Sequence, residues 1–133
     1  LLAFGELYLN DGRAGGQQVV PASWVKKSCE GQERRRRFRD GPGARNPDGI
    51  PDPTRDRKYG YGWWVREFGG HDVCFAWGYG GQYVLVARDL DLVIVTTSSP
   101  DVSEERRGHR RSLFDIIEGL IIEPMAAEQQ STL

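Results

Sequence analysis

Residues 59–99 read YGYGWWVREFGGHDVCFAWGYGGQYVLVARDLDLVIVTTSS. Runs rich in Val, Ile, Tyr and Trp are separated by Gly69-Gly70-His71-Asp72 and by Arg88-Asp89-Leu90-Asp91. β-branched and aromatic side chains favour extended backbone and Gly/Asp clusters favour turns, so the stretch predicts an antiparallel meander. Its strands are expected at 59–68, 72–77, 82–88 and 92–97. In the third, Val84, Val86 and Arg88 alternate with Tyr83, Leu85 and Ala87, placing apolar groups on both faces, as where helices cover both sides of a sheet. The unbroken apolar run Leu92 to Val95 predicts a central strand.

Working outward, Leu1 to Leu9 carries apolar side chains at 1, 2, 4, 7, 8 and 9, a helical pattern that Asp11-Gly12 can end. Gly15 to Pro21 reads as a turn with a short extended piece. Pro21 opens a short helix to Lys27, anchored by Trp24 and Val25 with Lys26 and Lys27 in water. Residues 30–57 form a long polar loop with Pro42, Pro47, Pro51 and Pro53; loops of that length are usually functional or disordered. After the meander, Asp101 and Glu104 have the spacing of a helix start. Leu113, Phe114, Ile116, Ile117, Leu120 and Ile121 then recur at three- and four-residue spacing, an amphipathic helix laid on the sheet, with the Arg106 to Arg111 cluster in its wetter first half. Glu123-Pro124 is expected to end it, leaving 124–133 as a flexible tail. The fold class is therefore α+β, an antiparallel sheet with packed helices. Because the chain starts without Met and already in a helical pattern, residues 1–133 are expected to be one partial domain.

Composition narrows the function classes. With 38% hydrophobic and 28% charged residues the 133-residue chain is an ordinary globular composition. A net charge of -1 gives no reason to expect a nucleic-acid partner, and the basic run Arg34-Arg35-Arg36-Arg37-Phe38-Arg39 sits among glycines as a solvated loop. No apolar run is long enough for a membrane span. Cys29 and Cys74 are too few for a disulfide framework, and His71-x-x-Cys74 alone is weak evidence for a metal, so none is expected. The compartment stays open.

The segment Ala76-Trp77-Gly78-Tyr79-Gly80-Gly81-Gln82-Tyr83, followed by a strand, an acidic turn and the strand from Leu92, resembles the C-terminal sheet of the serine β-lactamase and penicillin-binding-protein superfamily, in its branch of esterases and amide hydrolases. Phe4 to Arg13 with Val20-Pro21-Ala22-Ser23-Trp24-Val25 is similar to the helical segment before that sheet. The resemblance covers most of the chain. It implies the C-terminal portion of a β-lactamase/transpeptidase-like fold, an acyl-enzyme mechanism without a cofactor, and a small-molecule ester, amide or β-lactam substrate.

Such enzymes combine a Ser-x-x-Lys nucleophile, a Tyr-x-Asn or Ser-x-Asn element and a Lys-Thr-Gly-type strand. Here only the third has a counterpart. Ser23-Trp24-Val25-Lys26 matches the first literally, yet stands close before the sheet, where Ser23 reads as an ordinary first-turn residue. The chain alone is therefore expected to be inactive, and a truncated surface would favour self-association. Ala76-Trp77-Gly78 takes the place of Lys-Thr-Gly, which makes the Tyr79 N–H the candidate oxyanion donor. Trp77, Gly78, Gly80, Gly81 and Gln82 are the candidate substrate contacts, and glycine would admit close approach. Neither Ala76 nor Trp77 supplies a cation, which tilts the expectation towards neutral substrates. The structural alternative is that Gly78 to Gly81 simply bends the sheet. A dinucleotide loop is disfavoured because a strand pattern, not a helix, follows. Trp63 and Trp64 must face opposite sides of a strand and read as core. The rival functional classes are a non-catalytic module that binds a partner through the aromatic sheet and the 30–57 loop, and a degenerate family member.

Overall fold

The computed structural model describes residues 1–31, 58–78, 80–99 and 106–132. Helix α1 (Leu2–Leu9) leads into a small hairpin, β1 (Arg13–Ala14) and β2 (Gln17–Gln18), and then helix α2 (Ala22–Cys29). Five strands follow: β3 (Lys58–Tyr59), β4 (Trp64–Phe68), β5 (His71–Gly78), β6 (Gln82–Ala87) and β7 (Leu92–Thr96). They form one antiparallel sheet in the order β3-β4-β5-β6-β7. A helical stretch closes the chain as α3 (Arg106–Ile116), a π-helical turn (Ile117–Ile122) and α4 (Glu123–Ser131). The α+β class and the antiparallel sheet match the sequence expectation.

Strand alternation sorts the core into two layers. On one face Phe68, Val73, Phe75, Tyr83, Leu85 and Ala87 pack under Phe114, Ile117 and Ile122 of the C-terminal helix. On the other, Cys74, Val84 and Val86 pack under Tyr8 of α1 and Val25 of α2, with Trp63 alongside. Trp63 and Trp64 do divide between the faces. Helix α1 lies over β6 and β7 so closely that a Cβ on Gly5 would stand 2.5 Å from Val93 Cγ1.

The fold departs from the sequence expectation in several places, each with a physical cause. The expected strand 59–68 is two strands, because Gly62 takes φ +82 and turns the chain between β3 and β4. Strand β7 lies at the end of the strand order among the described residues, not at its centre. Its apolar run is explained by cover on both faces: Val93 and Val95 belong to one layer, Leu92 and Ile94 to the other. Trp24 is exposed and stacks on Tyr61 with centroids 5.5 Å apart, so Val25, fully buried, anchors α2 without it.

Helix formation also continues through Pro124. Proline lacks an N–H and its ring crowds the preceding turn. The chain accommodates it by widening just before it: the Glu123 N–H bonds to the Glu118 carbonyl, five residues back. That widening turns Ile117 and Ile122, five apart, onto the sheet, and leaves Ile116 and Leu120 exposed, against the three- and four-residue pattern. The 30–57 loop beyond Gly31, and the helix start at 100–105, lie outside the described residues.

The two cysteines are joined. Cys29 at the end of α2 and Cys74 in β5 form a disulfide across 45 residues of sequence. Nothing local in the sequence marks this pairing; it depends on the end of α2 lying beside β5. His71, meanwhile, is paired with Asp89, so His71 and Cys74 do not face a common ligand.

Candidate functional site

Strand β5, the longest of the sheet, runs to Gly78, which pairs with Gln82 at the start of β6. Between these strands Gly80 and Gly81 take φ +81 and +85. Glycine adopts positive φ without steric cost, so this sequence suits a tight hairpin. The bend weighed as the structural alternative is thus present. Tyr79, the candidate oxyanion donor, lies outside the described residues.

The remaining candidates separate by strand parity. Trp77 projects to the α3 face, 39% exposed, its ring stacked on Tyr83 at an interplanar angle of 3°. Ala76 belongs to the α1/α2 face. Gln82 is half-buried, and its Nε2 donates to the Ser98 carbonyl at 2.6 Å. That bond braces the end of the sheet. The Thr96 hydroxyl donates to the Gly81 carbonyl at 2.9 Å. Both bonds tie the hairpin to the exit of β7.

The structure adds residues that motif reasoning missed. Ser98 Oγ lies 3.1 Å from His109 Nε2 in the first turns of α3 and 3.4 Å from the Gly81 carbonyl. A Cβ on Gly81 would stand 2.9 Å from Ser98 Oγ and 3.5 Å from His109 Nε2. Glycine at 81 therefore lets the chain's own serine and imidazole close over the hairpin. The only sequence signal was parity: Ser98 continues the Thr96 face. The eleven-residue separation of Ser98 from His109 carries no motif.

Ser23 is exposed in the first turn of α2, and Lys26 is exposed as well. Among the described residues no three His, Cys, Asp or Glu side chains gather around a common metal position. No described helix is long and apolar enough to cross a membrane. The protein-family models and the curated proteins compared with this chain give no match.

Proposed function

We propose that this chain forms the sheet portion of a serine hydrolase similar to the β-lactamase and penicillin-binding-protein superfamily. It would act on an ester, amide or β-lactam through an acyl-enzyme, with the Ser-x-x-Lys nucleophile supplied by residues outside these 133. The supporting observation is the glycine hairpin. It closes an eight-residue strand of an antiparallel sheet that helices cover on both faces.

In this mechanism the nucleophile attacks the substrate carbonyl, and the oxygen that becomes negative is held by backbone N–H groups already fixed in place. The Tyr79 N–H is one donor. Gly78 and Gly80, lacking side chains, would let a substrate approach the backbone closely, and exposed Trp77 offers an apolar wall. With Ala76 and Trp77 where a cation would attract a carboxylate, neutral esters and amides are the favoured substrates.

The test uses the longer protein that this mechanism needs. Tyr79→Ala keeps the backbone donor and should leave turnover of a chromogenic ester near normal. Tyr79→Pro removes it and should lower turnover roughly a hundred- to a thousand-fold. Circular dichroism and melting must first show that the proline variant is folded. A folded Tyr79→Pro enzyme with normal turnover means that the hairpin is a structural bend and the assignment is withdrawn.

A further inference from the structure

We propose that Ser98 and His109 form a nucleophile and general-base pair of their own, able to be acylated by small esters with an apolar or aromatic acyl group. This does not rest on the superfamily reading, which places its nucleophile elsewhere.

The geometry meets the first requirement of such a pair, a hydroxyl within hydrogen-bond reach of an imidazole ring nitrogen. Ser98 Oγ has two acceptors near it. His109 Nε2 lies 3.1 Å from Oγ and the Gly81 carbonyl 3.4 Å away; in the tautomer that carries its hydrogen on Nδ1, His109 Nε2 accepts the hydroxyl proton. The serine is also held still. Its own carbonyl accepts from Gln82 Nε2, and the Gly81 carbonyl beside it accepts from the Thr96 hydroxyl. A fixed nucleophile loses little freedom on reaching the reactive arrangement.

Access is the second requirement. His109 is exposed and Ser98 half-buried, so a substrate carbonyl can reach the hydroxyl from solvent. Trp77, Tyr83 and Thr96 occupy one row across three neighbouring strands, and Ser98 continues the Thr96 face. Two strand spacings put the exposed indole about 10 Å from that strand, within span of an aryl or medium-chain acyl group.

The step balances without a further reactant. Ser98 Oγ bonds to the carbonyl carbon as its proton passes to His109 Nε2. The bond to the leaving alcohol breaks, and His109 returns the proton to the departing oxygen. Water then attacks the acyl carbon, giving a proton to His109 Nε2; the bond from that carbon to Ser98 Oγ breaks, the carboxylic acid leaves, and His109 returns the proton to Oγ.

An alkyl fluorophosphonate probe, incubated with the full 133-residue chain, tests this directly. Attack by Ser98 on phosphorus expels fluoride and leaves a stable adduct, located by intact mass and peptide mapping. One adduct, on the peptide that carries Ser98, is expected. Ser98→Ala should abolish it, and His109→Gln should slow labelling about a hundredfold, the usual scale of general-base assistance. Unchanged melting of both variants separates lost chemistry from lost folding, while mapping on the unsubstituted chain needs no variant. No adduct above a heat-denatured control, an adduct on Ser23, or His109→Gln labelling at the original rate would each overturn the proposal.

Discussion

The two faces of the sheet are covered in different ways. On the α3 face a cluster of rings from Phe68, Phe75, Tyr83 and Phe114 packs mostly edge-on, with centroids 5.2 to 6.4 Å apart. The Arg66 guanidinium lies 4.3 Å from the Phe68 centroid within it, and reaches Glu118 Oε2 at 3.8 Å. On the other face Phe4, Tyr8 and Trp63 make a smaller ring cluster at the margin. There α2 buries only Val25 and Ser28. An eight-residue helix has little stability of its own, and two buried side chains hold it weakly. A covalent bridge from Cys29 to Cys74 does on this face what ring packing does on the other.

Removing the central ring of the α3 face should break that side most severely. Phe114→Ala is expected to cost about 4 kcal/mol, the usual scale for emptying a buried Phe site. Chemical denaturation measures it, and hydrogen exchange should show α3 losing protection before α2. A loss under about 1 kcal/mol would mean that the ring cluster is not what holds the helix.

Breaking the bridge is the matching experiment on the opposite face. Cys29→Ser with Cys74→Ser should lower stability by about 3 kcal/mol, since a crosslink across so long a loop mainly restricts the unfolded chain. Here α2 should exchange first while α3 stays protected. Equal loss in both helices would show that the faces are not separately held.

The smallest effect sharpens the comparison within the α1 layer. A methyl at Gly5 would meet Val93 Cγ1 at 2.5 Å and Val84 Cγ1 at 3.0 Å. Gly5→Ala should therefore destabilise by about 2 kcal/mol through overpacking, despite the better helix propensity of alanine. A more stable variant would mean that α1 can lift off the sheet without cost.

The contrast between the faces bears on what could be read from the chain alone. Alternation along 82–87 announced a sheet covered on both sides, since Tyr83, Leu85 and Ala87 fall on one face and Val84 and Val86 on the other. That reading works because the side-chain period of a strand is a fixed property of extended backbone. The helical period was equally legible in 113–121 and still misplaced the buried face. The widened turn before Pro124 rotates Ile122 inward and Leu120 outward, a register change that depends on helix packing against the sheet.

By itself the sequence determined the antiparallel run of strands from Trp64 to Thr96 and the turns between them, but not the turn at Gly62. Glycines at 80 and 81 admit the positive φ of a tight turn and the β-branched and aromatic runs around them favour extended backbone, so the hairpin needed no knowledge of distant residues. Tertiary structure alone decided which distant groups meet: Cys29 with Cys74, Ser98 with His109, Gln82 with the Ser98 carbonyl. Those meetings depend on how helices cross strands, set by the summed packing of two apolar layers, and no short-range pattern encodes that sum.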